Sequence, residues 1–269
     1  MTYKTPIALT IAGSDSGGGA GIQADLKAMS ANGTYGASVI TAVTAQNTTA
    51  VTAVHEVPSD IVAAQIVAVL SDLDVSAIKI GMLFSVSIIE ATVKCLAVFD
   101  GPIVVDPVMI SKSGDTLLQG AAVEAMILHV LPQATLLTPN LPEAAWLLGD
   151  AEAKTPNEMA AQGKRLLALG PKAVLMKGGH ASGGTCVDIL IDTSGVIGTF
   201  EAPRIPTQNT HGTGCTYSAT IVALLAQGYD LTNAVAIAHR YLQAAINAAD
   251  QLQIGSGHGP VHHFHGQWT

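Results

Sequence analysis

The stretch Asn209-Thr210-His211-Gly212-Thr213-Gly214-Cys215-Thr216 runs directly into residues 217–227, which are apolar at the spacing of a helix. The first turn of a helix leaves backbone N–H groups without partners and carries partial positive charge. Because glycine allows a ligand to approach the backbone closely, this junction predicts an anion site that can hold a phosphate. The alternative is an ordinary tight turn followed by a helix N-cap.

Cys215 is the reactive side chain of this predicted anion site. A thiol at a helix N-terminus has its thiolate favoured, so Cys215 is a candidate base toward a hydroxyl group held beside a phosphate donor. The competing interpretation is a small, buried, unreactive cysteine. Residues elsewhere in the chain are needed to choose between the two.

The composition is that of a packed globular protein. The 269 residues suit one sizeable α/β domain and no boundary is visible, so we expect a single domain over 1–269. Hydrophobic residues make up 49%, charged residues 12% and aromatic residues only 4%, and since most of the apolar residues are Ala, Val, Ile and Leu we expect an aliphatic core. The formal charge of −8 opposes binding to nucleic acid or to an anionic membrane, so an anionic substrate would need a local site.

The cysteines point to a reducing environment. Cys95, Cys186 and Cys215 are widely spaced and form no Cys-x-x-Cys pair, which favours the cytoplasm over a disulfide framework and gives no support to a zinc cluster. The apolar run at 6–12 is followed at once by Asp15 and several glycines, a poor fit to a signal peptide. No uninterrupted apolar run reaches the roughly 18 residues of a membrane helix.

Short β-rich runs alternate with longer helical segments along most of the chain. This order predicts an α/β fold with a mainly parallel sheet covered by helices on both faces. The predicted strands are 7–12, 38–44, 77–80, 103–106, 135–138 and 173–177, and the predicted helices are 22–31, 59–73, 86–99, 121–130, 157–169, 213–226 and 231–252. Residues 51–57, and 185–192 with 196–202, are hairpin-like and predict an edge or a lid.

Chemically interesting residues follow each of the predicted parallel strands. In an open α/β sheet, ligands bind beyond the carboxyl ends of the strands. The residues at these positions are 13–21, Gln46 and Asn47, Gly81 and Met82, Asp106, Asn140 and Glu143, and 177–180. Together at one edge of the sheet they would form a site.

Asp106 and Glu143 follow adjacent predicted strands, and Lys177 ends another. Two carboxylates suit Mg²⁺, which prefers a few carboxylates, water and substrate phosphates. The alternative is that Asp106 caps a turn and Glu143 is a first-turn helix carboxylate. An unpaired cation at the end of an apolar strand is costly, so Lys177 predicts a phosphate partner, with surface snorkelling as the alternative.

Two further segments are rich in one residue type. Residues 13–21 contain many glycines, but they lack both the lysine of a Walker A loop and the glycine spacing of a dinucleotide-binding loop. Their length, together with the cap-like Asp25, favours a ligand loop over a plain turn.

The C-terminal His258, His262, His263 and His265 suggest a metal site, yet they lack fixed helical spacing. A docked or frayed tail is therefore the preferred interpretation.

Ordered motifs cover the chain from residue 7 to about 265: residues 12–15 with 17–27, 43–48, 79–83, 138–143, 177–180, 209–216 and 259–264. In this combination the chain resembles the hydroxymethylpyrimidine/phosphomethylpyrimidine kinase family of the ribokinase-like superfamily. The first loop departs from the family pattern, which more often has proline near Ser16, and the departure affects loop stiffness more than chemistry.

The resemblance implies a three-layer, ribokinase-like α/β fold, a homodimer, and ATP with Mg²⁺. The implied reaction is phosphorylation of 4-amino-5-hydroxymethyl-2-methylpyrimidine to its monophosphate and then to its diphosphate, in thiamine biosynthesis. The implied roles are pyrimidine binding by Gln46, Asp25, Met82, Gly13 and Val108; an anion hole at Gly212, Thr213 and Gly214 with Cys215 as the base; phosphate binding by Lys177, Asn140 and Thr210; and metal binding by Asp106 and Glu143.

Two other functions remain open. A pyridoxine or pyridoxal kinase of the same fold handles a ring with a similar hydroxymethyl group, although Cys215 with Gln46 favours the pyrimidine. A non-catalytic pyrimidine sensor would keep the pocket but would not need Asp106, Glu143, Lys177 and Cys215 together. We also expect Cys215 to assist only the first transfer, since a phosphate oxygen needs no deprotonation before it attacks.

Overall fold

The computed structural model describes residues 4–108, 120–180 and 183–268. The strands of this part of the chain are β1 Ile7–Asp15, β2 Tyr35–Gln46, β3 Val51–Glu56, β4 Ala77–Ile80, β5 Ile103–Val105, β6 Leu136–Leu137, β7 Ala173–Met176, β8 Thr185–Asp192 and β9 Gly195–Pro203. They form a nine-stranded sheet in the order β3-β2-β1-β4-β5-β6-β7-β8-β9.

The centre of the sheet is parallel and its edges are antiparallel. Strands β2, β1, β4, β5, β6 and β7 pair in parallel. Strand β3 forms one edge, and β8 with β9 forms the other. The two hairpin-like segments of the sequence therefore form the two edges, and the prediction of a mainly parallel sheet is confirmed.

Helices cover both faces of the sheet. Their bounds are α1 Gly21–Ala31, α2 Ser59–Asp72, α3 Val86–Leu96, α4 Gly120–Ala125 with a π-helical continuation Met126–Val130, α5 Leu141–Leu148, α6 Pro156–Leu167, α7 Thr213–Ala226 and α8 Leu231–Asn247. Side chains of α2 to α6, such as Ile66 and Leu166, form one buried core with the sheet. Side chains of α1, α7 and α8, such as Met29 and Tyr217, form a second core on the opposite face. The three-layer α/β class is confirmed.

Several details differ from the prediction. Helix α5 was not predicted; it has eight residues, a proline in its first turn and a capping box formed by Asn140 and Glu143. Helix α8 ends at Asn247, and Ala249–Gln251 is a separate 3₁₀ turn. Asp25 lies in the second turn of α1 and caps nothing. Within the described ranges, no helix combines the length and apolar character needed to cross a membrane.

Candidate active site

The N-terminus of α7 has the backbone geometry of an anion site. Its N-cap is Gly212, with φ of 77°, and a Cβ at this position would lie 1.8 Å from the carbonyl oxygen of Gly19, so the turn requires glycine. In α3, α5, α6 and α8 a first-turn backbone amide donates to the side chain of the N-cap residue, whereas α7 has no such hydrogen bond in the described structure. The first turn is closed instead by the Thr213 hydroxyl, which donates to the carbonyl of Thr210 at 2.6 Å. The amides of this turn thus have no side-chain cap to displace before they bind a ligand.

A buried cation and carboxylate meet at this helix end. Lys177 Nζ donates to Asp106 Oδ1 at 2.8 Å, and the two side chains are 13% and 2% exposed. A Cβ on Gly214 would lie 3.4 Å from Lys177 Nζ and 3.5 Å from Asp106 Oδ2. The hydroxyls of Thr138 and Ser218 also donate to Asp106, each at 3.2 Å. Burial opposes both charges, but their mutual attraction raises the pKa of Lys177 and lowers the pKa of Asp106.

The neighbouring strand end brings Asn140 and Glu143 to the same edge. The Lys177 amide donates to Pro139 O at 2.9 Å, which places Asn140 beside Lys177. Asn140 Oδ1 accepts from the Glu143 amide and Glu143 Oε2 accepts from the Asn140 amide, both at 2.8 Å. Burial raises the pKa of Glu143 to about 7, although Lys177 opposes the shift. Glu143 therefore also serves as a first-turn helix carboxylate that caps α5.

The other side of the α7 turn carries the predicted acceptor residues. A Cβ on Gly13 would lie 2.4 Å from Met82 Cε, so Gly13 gives room for the methionine side chain. Gln46 ends β2 and, with His211, lines a cavity of about 260 Å³. Val108 lies just beyond Asp106, and its amide donates to Asp106 O at 2.8 Å. The parallel strands thus bring Gly13, Met82 and Gln46 to the edge that also carries Asp106 and Lys177.

Asp15 organises the glycine-rich loop. Its carboxylate accepts hydrogen bonds from the amides of Gly17, Gly19 and Ala20 at 2.8, 3.0 and 2.8 Å, and lies 2.9 Å from Nε2 of His211. Burial opposes the charge, but His211 and the loop amides lower the pKa of Asp15. The loop amides therefore bind a carboxylate of this chain, which differs from the prediction that they wrap around a ligand. Neither Asp15 nor His211 was assigned a role from the sequence.

Comparison with known proteins identifies the family. The family model described as phosphomethylpyrimidine kinase matches residues 15–262. This chain belongs to the phosphomethylpyrimidine kinase family. A hydroxymethylpyrimidine/phosphomethylpyrimidine kinase of Rhizobium meliloti (strain 1021) is 56% identical over 264 residues, which are 98% of this chain and 99% of the relative.

Solved structures of similar proteins agree with this membership of the phosphomethylpyrimidine kinase family. The phosphomethylpyrimidine kinase from Clostridium difficile 630 has a TM-score of 0.78 at 46% identity, covering 90% of this chain and 100% of that one. The ADP complex of Bacillus subtilis pyridoxal kinase has a TM-score of 0.90 at 35% identity, covering 99% of this chain and 100% of that one. The resemblance stated from the motifs and the ribokinase-like fold are confirmed.

One residue that the resemblance to the phosphomethylpyrimidine kinase family assigned to the pyrimidine pocket has its carboxylate paired with buried side chains. Asp25 is fully buried: Oδ1 pairs with Lys79 Nζ at 2.5 Å and Oδ2 accepts from the Thr10 hydroxyl at 2.6 Å. Lys79 lies inside β4 and is also fully buried; burial opposes its charge, but Asp25 raises its pKa. Because both carboxylate oxygens of Asp25 are engaged below the surface, the structure shows it as the partner of Lys79.

The surroundings of Cys215 favour the thiol over the predicted thiolate. Cys215 is the third residue of α7 and is half-buried. Burial raises the pKa of its thiol to about 11, with Lys79 opposing the shift and the nearby carboxylates Asp25 and Asp106 adding to it. Burial and the two carboxylates raise the pKa of the thiol more than the helix N-terminus lowers it. At neutral pH Cys215 is a thiol.

The histidine-rich tail is docked. His262 and His263 are each 4% exposed, and His263 Nε2 lies 2.9 Å from the hydroxyl of Thr216. The His211 amide donates to Gly259 O at 3.0 Å, which joins the tail to the α7 turn. Among the residues that the structure describes, no group of three or more His, Cys, Asp or Glu side chains could hold a metal ion. Of the two interpretations of the tail, docked or frayed, the structure shows the docked one.

Proposed function

We propose that this chain transfers the γ-phosphoryl group of ATP to 4-amino-5-hydroxymethyl-2-methylpyrimidine and then to the resulting monophosphate, in thiamine biosynthesis. The observation that carries the proposal is the Lys177–Asp106 pair lying against the uncapped N-terminus of α7, beside Cys215. Phosphoryl transfer needs positioning and charge neutralisation more than covalent chemistry. A largely buried lysine and helix-end amides without a side-chain cap supply both.

The phosphate side of the site is assigned as follows. Lys177 and the amides of Gly212, Thr213 and Gly214 neutralise the transferred group, while Asn140 and Thr210 contact the nucleotide phosphates. The Bacillus subtilis pyridoxal kinase, solved as an ADP complex, supports nucleotide binding by this chain.

Asp106 and Glu143 suit Mg²⁺, because this ion takes one or two carboxylates and completes its coordination with water and substrate phosphates. Bound there, Mg²⁺ would neutralise phosphate charge. A pair of carboxylates leaves coordination positions open for water and substrate phosphates, whereas a site built wholly from protein ligands would fill them.

On the acceptor side, Gln46, Met82, Gly13 and Val108 bind the pyrimidine and present its hydroxymethyl oxygen. That oxygen forms a bond to the γ-phosphorus as the bond from phosphorus to the ADP oxygen breaks. Because the Cys215 thiol is protonated at rest, we assign it to orienting the hydroxymethyl group. The alcohol proton then passes to an oxygen of the transferred phosphoryl group, a late transfer that suits a loose transition state. The second acceptor, a phosphate oxygen, has no such proton to lose.

Pyridoxal phosphorylation is a second candidate activity. It is supported by the TM-score of 0.90 and 35% identity to a pyridoxal kinase over 99% of this chain. We expect it to be weaker, with a smaller kcat/KM than for the pyrimidine. Measuring kcat/KM for both acceptors decides between them.

The test of the main proposal is one assay with the hydroxymethylpyrimidine and Mg-ATP, following monophosphate and diphosphate by mass. Sequential appearance of both products supports the proposal, and the variant Lys177→Met, with its cation removed, should form neither at an appreciable rate. Tight binding of the pyrimidine without consumption of ATP would establish the sensor alternative instead.

Three further expectations belong to the proposal: a single domain over 1–269, a cytoplasmic location and a homodimer. The continuous sheet supports the first and the free cysteines the second. For the dimer we propose the β2–β3 edge, where Tyr35, Val43 and Val54 are 57%, 46% and 37% exposed. Analytical ultracentrifugation of the unmodified chain and of Val43→Asp tests this interface: the unmodified chain should sediment as a dimer and the variant as a monomer.

A further inference from the structure

We infer that His211, held by Asp15, is a positioning residue that orients the carboxamide of Gln46 and thereby selects an aminopyrimidine ring over a pyridine ring. This inference rests on the proposed function. Its starting point is that Nε2 of His211 lies 2.9 Å from Asp15 Oδ2 and 3.3 Å from the terminal nitrogen of Gln46. Both Asp15 and His211 are buried, with 3% and 9% exposure.

The position of the imidazole proton follows from Asp15. This carboxylate accepts three backbone N–H groups, an arrangement that requires its ionised, acceptor-only form. An acceptor-only oxygen at 2.9 Å requires a donor opposite, so Nε2 of His211 carries a proton. That nitrogen then has no lone pair to accept a hydrogen bond from Gln46.

The orientation of Gln46 follows in turn. If the carboxamide nitrogen of Gln46 faced the Nε2–H of His211, two hydrogen-bond donors would point at each other. The oxygen and nitrogen of a side-chain amide are assigned from the hydrogen bonds around them, so we exchange the two atoms. With the two atoms exchanged, the carboxamide oxygen shares the Nε2–H of His211 with Asp15 in a three-centre hydrogen bond, and the nitrogen donates to the hydroxyl of Thr44. That hydroxyl lies 3.1 Å from the Gln46 side chain and itself donates to Ser14 O at 2.9 Å. Each of these groups then has a complementary partner.

This orientation leaves Gln46 with one free N–H and one free lone pair side by side. A 4-aminopyrimidine edge carries a ring-nitrogen acceptor next to an amino donor, so the two edges are complementary. A pyridoxal ring has no such adjacent pair. A site that hydrogen-bonds a specific polar edge discriminates strongly against a ring that lacks it.

His211 is well suited to hold this orientation because it is fixed on two sides. A Cβ on Gly19 would lie 2.3 Å from His211 Cδ2, so the ring packs directly on the loop backbone. The His211 amide donates to Gly259 O at 3.0 Å, and its carbonyl accepts from Val261 at 3.4 Å. The residue that orients Gln46 is thus tied to the turn that carries Cys215.

The test compares His211→Phe, which removes the donor, with His211→Gln, whose amide retains an N–H at a similar position. We expect His211→Phe to raise KM and Kd for the hydroxymethylpyrimidine at least 10-fold, with kcat changed less than about 3-fold and KM for pyridoxal unchanged. His211→Gln should restore most of the affinity. In the background of Gln46→Ala, His211→Phe should add little, since it acts through Gln46.

The outcomes separate the two proposals. If the unmodified protein does not phosphorylate the hydroxymethylpyrimidine, the proposed function fails before any variant is compared. If it does, an unchanged pyrimidine KM in His211→Phe, or losses that multiply with those of Gln46→Ala, overturns the role of His211. A purely structural role would lower the unfolding midpoint and the active fraction while leaving Kd and the pyrimidine-to-pyridoxal ratio unchanged, which also overturns it.

Discussion

Lys79 Nζ lies 2.5 Å from Asp25 Oδ1, and neither side chain has any solvent exposure. Removing one member leaves an uncompensated buried charge, whereas removing both leaves none. We therefore expect Lys79→Met and Asp25→Leu each to lower the free energy of unfolding by about 3–5 kcal/mol. The double variant should lose much less than the sum.

Denaturant unfolding of the four proteins measures this coupling. Lys4→Met is the matched control, because its pair with Asp74 is exposed, with side-chain exposures of 80% and 70%, and should leave stability unchanged. Strictly additive losses in the double variant would show that the two charges do not stabilise each other.

Gly214→Ala should separate activity from stability. The added methyl group would lie 3.4 Å from Lys177 Nζ and 3.5 Å from Asp106 Oδ2, where we place the transferred phosphoryl group. Alanine is favourable within a helix, so the melting temperature should be unchanged or higher, while kcat/KM for ATP should fall by about 100-fold.

The control is Gly120→Ala, since a Cβ there meets nothing within 4 Å among the residues that the structure describes. It should leave kcat/KM unchanged. Full activity of Gly214→Ala would mean that phosphate does not approach this turn.

Cys215 offers a test of how the first transfer proceeds. If the thiol orients the hydroxymethyl group, Cys215→Ala should slow alcohol phosphorylation by about 100-fold, the scale on which a small misplacement of reacting groups slows a reaction, and affect monophosphate phosphorylation far less. Cys215→Ser should keep most of the alcohol activity because its hydroxyl can also orient the acceptor. Single-turnover rates for the two acceptors measure this split.

Two other patterns would count against the assignment. Equal losses in both transfers would remove the distinction between the acceptors. A serine variant as slow as the alanine variant would indicate a thiolate base that forms only in the substrate complex, since a serine hydroxyl does not ionise comparably.

The fold was largely predictable because each central strand is buried on both faces and reads as a short apolar run. Strand β4 and helix α7 were predicted with the bounds that the structure has, 77–80 and 213–226. Helix α5 is not predicted because eight residues are too few to show a helical period, although the alternative interpretation of Glu143 as a first-turn helix carboxylate indicates its start.

The site was less predictable because its electrostatics depend on contacts between distant residues. His211 and Asp15 are separated by 196 positions, and Lys79 and Asp25 by 54, so no local motif links either pair. The helix-end position of Cys215 was visible, but the burial that raises its pKa is set by tertiary packing. Residue types at strand ends predicted where the site lies; long-range packing determines the charge states within it.

His263 should make stability depend on pH. Burial, with a contribution from Lys27, lowers the pKa of this histidine to about 3 from 6.5. The unfolded chain therefore binds the proton more tightly, so the stabilisation is present above pH 6.5 and is lost as pH falls toward 3. Between pH 6.5 and about pH 5 this one group costs up to about 2 kcal/mol.

Urea unfolding at several pH values compares the unmodified chain with His263→Gln, which should lose less stability on acidification. The exposed His55→Gln serves as the control and should follow the unmodified chain. Parallel curves for all three proteins would place the acid sensitivity elsewhere.

The docking of residues 259–263 onto the α7 turn also has a consequence for protein synthesis. Asn209 accepts a hydrogen bond from Gly259, 50 positions later in the chain, and His211 and Thr216 also find their partners in that late segment. A ribosome that has just translated the α7 turn has not yet made the residues that hold it. The nascent polypeptide can build its sheet early, yet it acquires a finished catalytic centre only after these late residues have left the exit tunnel.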